Sequence, residues 1–301
     1  KVEALKKDID FTINNKFCTE CSIKGQNINR NELKQLIKHC GDSMVIAGTS
    51  YKVKVHIHTN DPGKLFQICS AYGNVIDEKV DDMTQQEHSI HHEGASSIAI
   101  VVDSGADIPD DYLSEIQIVP ARYSFGSQQH IDRVTQSPKD FYKQMEKDSN
   151  HPKTSQPTPG DFRKTYSFIS SHYNHVISIH LSKNISGTYQ SAVNASKKVK
   201  KIQIKIIDSF TASVGLGLLA MYAVDLKQEG KTYEQIISQV NKKRYKTHVY
   251  LVPDDLNYVV KGGRAPSKVK TIANLFRLRP VLGTKKGYLK VRVDGEIIDI
   301  R

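Results

Sequence analysis

The chain has 301 residues, 38% hydrophobic and 25% charged, which allows two or three domains with buried cores. Trp is absent, and 9 Phe with 14 Tyr leave the core to rest largely on Ile, Val and Leu, while no apolar run approaches the ~20 residues of a membrane span. The net charge of +11 is uneven: residues 1–95 carry 12 Lys/Arg against 13 Asp/Glu, and residues 261–301 carry 11 against 3. That C-terminal basic face reads as a solvated surface, or as a site for an acidic partner, an anionic membrane surface or nucleic acid. No nucleic-acid module pattern is visible and interleaved aromatics are sparse, so no nucleic acid is expected. The four cysteines, Cys18, Cys21, Cys40 and Cys69, all lie in the first quarter of the chain. A secreted disulfide scaffold spreads them more evenly, so the pattern favours a reducing cytoplasm, with a lone Cys18–Cys21 disulfide as the alternative. The chain begins at Lys1 with no signal-peptide pattern, and it ends on Ile297-Ile298-Asp299-Ile300-Arg301, inside a strand or its exit. Both ends therefore read as those of a processed chain or a fragment.

In chain order, Asn29 to Cys40 has helical spacing at Leu33, Leu36 and Ile37. Asp42 to Ala47 is a short apolar run. Tyr51 to Thr59 alternates with period two, as a half-buried strand does. Asp61-Pro62-Gly63 predicts a turn, and Lys64 to Tyr72 a helix. A polar segment at residues 85–97, with His88, His91 and His92, reads as a linker, its histidines exposed or metal-binding. Three strand–loop–helix units follow. Ile98 to Val102 leads into Asp103-Ser104-Gly105. Val176 to Leu181 leads into Ser182 to Thr188 and a helix. Ile202 to Ile207 leads into Asp208-Ser209 and a helix through Leu216 to Leu226. Apolar strands rich in Ile and Val, alternating with helices, predict a mainly parallel sheet covered on both faces. Ligands bind such sheets beyond the carboxyl ends of the strands.

Four constellations could carry chemistry. Ser186-Gly187-Thr188 opens a helix after a strand, where free backbone N–H groups and the helix dipole suit a carboxylate or phosphate, unless Ser186 is an ordinary N-cap. Lys153-Thr154-Ser155-Gln156-Pro157-Thr158-Pro159-Gly160-Asp161 is a proline-stiffened loop that either holds the Thr154 hydroxyl in place or only leads into a helix capped near Thr158 or Asp161. Lys261-Gly262-Gly263-Arg264 is a hinge whose Arg is either solvated or grips an anion. In the first domain His56 and His58, two apart on a strand, share a face. With Cys18 they suit a zinc ion with an open fourth position, which Cys21 could close; otherwise the histidines are a plain polar face. No Gly-x-x-x-x-Gly-Lys-Ser/Thr loop and no acidic Asp-Gly-Asp cluster is present, so the chain has no visible kinase machinery of its own.

Val102-Asp103-Ser104, Thr154-Ser155-Gln156-Pro157, Ser186-Gly187-Thr188-Tyr189-Gln190-Ser191-Ala192, Asp208-Ser209, Gly215-x-Gly217 and Lys261-Gly262-Gly263-Arg264 together resemble the DegV family. That family includes the fatty-acid-binding subunits of bacterial fatty-acid kinase. The resemblance covers residues 98–301 and implies a two-lobed α/β domain, its C-terminal lobe truncated here, that buries a long-chain fatty acid. By matching motifs, Thr154 and Ser186 would hold the carboxylate, with Gly187, Thr188 and Ser104 around it and Arg264 orienting the head group or assisting phosphoryl transfer. A separate kinase would phosphorylate the carboxylate to an acyl phosphate, making this chain a carrier with no catalytic residues of its own.

Residues 1–84 resemble the middle domain of the partner kinase, through Phe17-Cys18-Thr19-Glu20, Gly41-Asp42-Ser43, Lys54 to Gly63 and Asp82-Met83. That implies a metal on Cys18, His56 and His58. It also implies a dihydroxyacetone-kinase-type ATP-binding domain as partner, on the same full-length chain or a separate one. The expected architecture is a small α/β domain at 1–84, a linker at 85–97 and the DegV-like domain at 98–301. The competing reading is a metal-dependent hydrolase centred on Cys18, His56 and His58, with Glu20 as the nearest carboxylate base. A purely structural interaction module using the basic face is a third.

Overall fold

The computed structural model describes residues 14–84, 98–264, 281–293 and 296–298. The chain divides into two compact units, residues 1–88 and 89–301. The linker expected at 85–97, with its three histidines, lies outside the described residues, as does part of the basic C-terminal stretch.

The first unit runs β1 (Phe17–Lys24), α1 (Arg30–Ile37), β2 (Gly41–Gly48), β3 (Lys52–Thr59), α2 (Pro62–Ser70) and β4 (Asn74–Asp82). Its antiparallel sheet has the order β2-β3-β1-β4, two interleaved β-α-β units of ferredoxin-like type. Strand β3 shows how the two faces are assigned. Val53, Val55 and Ile57 are buried in the core with the helices, and Lys54, His56 and His58 alternate with them onto the opposite face.

Asn29 caps α1 by accepting from the backbone N–H groups of Asn31 and Glu32, and the helix buries Leu33 and Ile37. Leu36, grouped with them by spacing, sits at the edge of that stripe and is 52% exposed. The Asp61-Pro62-Gly63 triplet opens α2 rather than preceding it. Asp61 accepts from the Lys64 N–H, and Pro62 fills the first turn, where no N–H is required.

The second unit runs β5 (Ile98–Asp103), β6 (Ile116–Val119), β7 (Arg122–Phe125), β8 (Gln128–Ile131), α3 (Pro138–Lys147), β9 (Lys153–Ser155), α4 (Pro159–Ile169), β10 (His175–His180), α5 (Thr188–Ser196), β11 (Gln203–Asp208), α6 (Ser213–Gln228), α7 (Tyr233–Lys243), β12 (Tyr250–Leu251), α8 (Leu256–Lys261), β13 (Val281–Lys285), β14 (Tyr288–Val293) and β15 (Glu296–Ile298). Four strands form the expected parallel sheet, in the order β11-β10-β5-β6. All six residues of β5 are buried, because helices cover both faces.

Ile100, Val102, Ile177 and Ile179 pack with Leu216, Leu219 and Ala220 of α6 and Ile236 and Val240 of α7. Ala99, Val101 and Val176 face the other way, toward Phe162, Tyr166 and Ile169 of α4 and Ala192 of α5. Gly217 lets α6 seat on the loop after β5, since a Cβ there would lie 1.9 Å from the Asp107 carbonyl oxygen. Two smaller antiparallel sheets, β8-β7-β9 and β12-β13-β14-β15, complete the unit. Among the described residues no helix is long and apolar enough to cross a membrane.

Candidate functional site

Thr154 is held extended in β9 by pairing with Tyr123 of β7, with Arg122 opposite Ser155. The chain then enters α4 through a capping box, in which Thr158 accepts from the Asp161 N–H and Asp161 accepts from the Thr158 N–H. Arg122 closes on the same carboxylate at 2.8 Å, tying β7 to the helix start. Burial opposes the charge on Asp161, but hydrogen bonds from Arg122 and Thr158 outweigh it and hold the carboxyl below the usual range.

Thr154 and Arg264 line one cleft of about 680 Å³. Lys153 and Lys261 add positive charge to its wall, and Tyr142, Met145, Tyr258 and Val259 supply apolar surface. The His151 ring stacks on Tyr258 with centroids 5.6 Å apart. Burial, then Lys261 and Lys153, lower the His151 pKa, which favours its neutral form. Asp254 and Asp255 also border the cleft, but Asp255 accepts from the Asn257 N–H and caps α8. A hydroxyl and three cations beside aromatic and aliphatic walls can hold an anion with an apolar tail.

Ser186, Gly187 and Thr188 do not line that cleft; they meet the Thr154 loop through Gln156. The Gln156 amide lies against Gly187, where a Cβ would come 2.1 Å from Oε1, and its Nε2 donates to Ser191 Oγ at 3.1 Å. The N-cap of α5 is Gly187, not Ser186. The Ser186 hydroxyl instead accepts from the Thr188 N–H at 3.3 Å and lies 2.9 Å from Thr188 Oγ1. Ser104 is buried, and its hydroxyl accepts from the Ala121 N–H at 2.9 Å, so it pins the β6–β7 turn. Spacing did not single out His151, Lys153 or Lys261 as cleft residues, nor Gln156 as the bridge. The only signal was their presence in the flanking loops.

In the first unit the sheet brings the three candidate ligands together. Cys18 lies directly opposite His58, and Glu20 opposite His56. The donor atoms of Cys18, His56 and His58 all lie within 4.8 Å of one another. Glu20 Oε1 meets His56 Nδ1 at 3.2 Å, and Asp42 Oδ1 lies 3.6 Å from His58 Nδ1. Carboxylates behind the imidazoles are the outer partners that metal-bound histidines use, and one thiolate with two imidazoles suits zinc.

Cys21 does not join the cluster: it is 1% exposed and packs in the core with Cys69. A hydrogen bond with Cys69, reinforced by burial, pushes the Cys21 thiol far up, away from the thiolate a metal requires. None of the four cysteines is in a disulfide, so the Cys18–Cys21 bridge is not formed. Glu20 is held by Lys54 at 3.0 Å as well as by His56, and these contacts lower its pKa, Lys54 most. That engagement makes it an orienting partner of His56 rather than a free base.

The model of the DegV family, described as uncharacterised proteins, matches residues 97–293. The model of the FakA-like middle domain of fatty acid kinase matches residues 14–90. A DegV domain-containing protein of Caldanaerobacter subterraneus is 34% identical over 208 residues, 68% of this chain and 74% of that protein. Among solved structures, the fatty acid binding protein DegV from Bacillus subtilis is 32% identical with a TM-score of 0.59, covering 65% of this chain and 70% of that one. A stearic acid-binding protein from Eubacterium ventriosum is 27% identical with a TM-score of 0.61 over the same shares. With its parallel sheet, its motifs in order and a family match across most of its length, the chain belongs to the DegV family.

Proposed function

We propose that this chain binds a long-chain fatty acid and presents its carboxylate for phosphorylation by a kinase ATP-binding domain, carried on the same full-length chain or on a separate one. The observation that carries the reading is the cleft where Thr154 and Arg264 meet beside apolar walls. Relatives of the same fold described as fatty-acid-binding support it. The tail supplies most of the affinity, at ~0.8 kcal/mol per buried CH₂, and the head group sets orientation. Thr154 donates to the carboxylate and Arg264 neutralises it, while Ser186, outside the cleft walls, would supply a second hydroxyl only by turning from Thr188 toward the head group. Gly187 and Thr188 shape that loop, and Ser104 supports the strand ends.

In phosphorylation a carboxylate oxygen attacks the γ-phosphorus of ATP, the bond to the ADP oxygen breaks, and ADP leaves with an acyl phosphate formed. The reading takes residues 1–84 as the kinase-type middle domain, joined by 85–97 to the binding domain at 98–301. The match to that middle domain supports the kinase link. Cys18, His56 and His58 would hold a zinc ion, which would supply a Lewis-acid centre. The engaged state of Glu20 weighs against the hydrolase alternative.

Mass spectrometry of the denatured, purified protein tests the binding claim. A co-purified long-chain acid, or uptake of added oleate, is expected; the absence of both refutes it. Hydroxylamine trapping after addition of ATP and a fatty-acid kinase ATP-binding domain tests presentation, with an acyl hydroxamate expected.

A further inference from the structure

We propose that His180 is a positioning residue: with Asp103, Ser178 and Tyr166 it forms a buried relay that sets the Ser186 loop against the Thr154 loop and so fixes carboxylate recognition. The inference rests on the fatty-acid reading above. Asp103 ends β5 and His180 ends β10, neighbouring strands of the parallel sheet. Ser178 and His180 share the face of the sheet that α4 covers, two residues apart on one strand. His180 Nδ1 lies 3.0 Å from Asp103 Oδ2, His180 Nε2 lies 2.7 Å from Ser178 Oγ, and Ser178 Oγ lies 2.8 Å from Tyr166 Oη. All four side chains are buried.

Asp103 also accepts from the Gly105 and Leu181 N–H groups, each at 3.0 Å. With the carboxylate accepting throughout, His180 donates through Nδ1, Nε2 accepts from Ser178, and Ser178 accepts from Tyr166. Every link is satisfied in one direction. A single break leaves a buried polar group unpaired, so the four act as a unit.

The distances are those of a Ser–His–Asp nucleophile, but the setting is wrong for attack on a substrate. Ser178 lies inside a strand with no exposure, its hydroxyl occupied on both sides, and none of the four residues lines the cleft. What the relay does reach is the two recognition loops. Leu181, held by Asp103, begins the run to Ser186 and Gly187. Tyr166 is on α4, whose capped start follows directly on Thr154-Ser155-Gln156-Pro157. One turn earlier on that helix, Phe162 meets the His180 ring edge-on at 4.9 Å. His180 therefore ties the loop after β10 to the helix after β9.

Titration of delipidated protein with oleate and with methyl oleate tests the proposal, in wild type, His180→Asn, Ser178→Ala and Tyr166→Phe. Asparagine keeps a donor toward Asp103 and removes the acceptor for Ser178. Each broken link is expected to lower oleate affinity about 3- to 10-fold while methyl oleate stays within about twofold. A merely structural role would weaken acid and ester together, in step with Tm, and that result overturns the proposal, as does unchanged oleate binding. If His180→Asn does not fold, Tyr166→Phe, which removes one hydroxyl, decides the matter. A wild-type protein that takes up neither ligand refutes the fatty-acid reading itself, and this inference with it.

Discussion

Gly187→Ala probes the contact that joins the two recognition loops. The added Cβ would lie 2.1 Å from Gln156 Oε1, 2.7 Å from Cδ and 2.8 Å from Nε2. These atoms end a flexible side chain, so the amide swings away while the backbone stays. The swing breaks the hydrogen bond from Gln156 Nε2 to Ser191, a loss of about 0.5–1.5 kcal/mol. Gly187 is also the N-cap of α5, where alanine costs on the order of 1 kcal/mol more than a preferred capping residue. A total of about 1.5–2.5 kcal/mol corresponds to a fall in Tm of roughly 3–10 °C for a unit of this size. Thermal unfolding followed by circular dichroism measures it, in wild type, Gly187→Ala, Gln156→Ala and the double variant. Without the Gln156 amide only the cap cost should remain, giving a coupling of about 0.5–1.5 kcal/mol. Equal costs of Gly187→Ala in both backgrounds would refute the clash.

Three further outcomes are expected. Thr154→Val keeps the side-chain volume, removes the hydroxyl and should weaken oleate binding about 10- to 150-fold with little change in Tm, as a hydrogen bond to a charged group predicts; equal affinity by titration would remove Thr154 from the head-group site. Cys18→Ala should bring zinc, measured by mass spectrometry after chelator-free purification, to background, and Glu20→Gln should lower zinc affinity about 10- to 100-fold by competition with a chromophoric chelator; full occupancy in the first variant would disprove the metal assignment. The Arg122–Asp161 pair gives an acid limb to stability. The folded pKa of Asp161 lies below the ~3.9 of an unfolded aspartate, so its contribution is complete above that value and is lost as pH falls through the folded one. Arg122→Met should flatten that limb in urea melts between about pH 5 and pH 3, and an unaltered slope would count against it.

Local pattern determined much of this protein. The alternation from Tyr51 to Thr59 put His56 and His58 on one face before any contact was known, because side chains alternate along a strand. The run at 98–102 announced a strand covered on both sides, since only a strand buried on both faces can be apolar throughout, and the Ile- and Val-rich runs at 176–181 and 202–207 placed its neighbours, although Gln203 and Lys205 leave the edge strand β11 half exposed. A helix cap near Thr158 or Asp161 was legible from the prolines around them, and the structure uses both, as the two halves of one capping box. Strand β1 was not legible. Thr19, Cys21 and Ser22 are buried although polar or small, and a bulge between Glu20 and Ser22 breaks the alternation against β4. The three- and four-residue strands of the β8-β7-β9 sheet likewise carry too few residues for a period to show. Tertiary structure alone decided that Cys18 stands opposite His58 while Cys21 turns inward, and that the Gln156 amide lies against Gly187. It also decided that Arg264 returns to Thr154 and that His180, which with Ser178 interrupts an apolar run, finds Asp103 on the next strand. Periodicity is written by near neighbours in the chain, whereas register and convergence depend on packing between segments far apart in it.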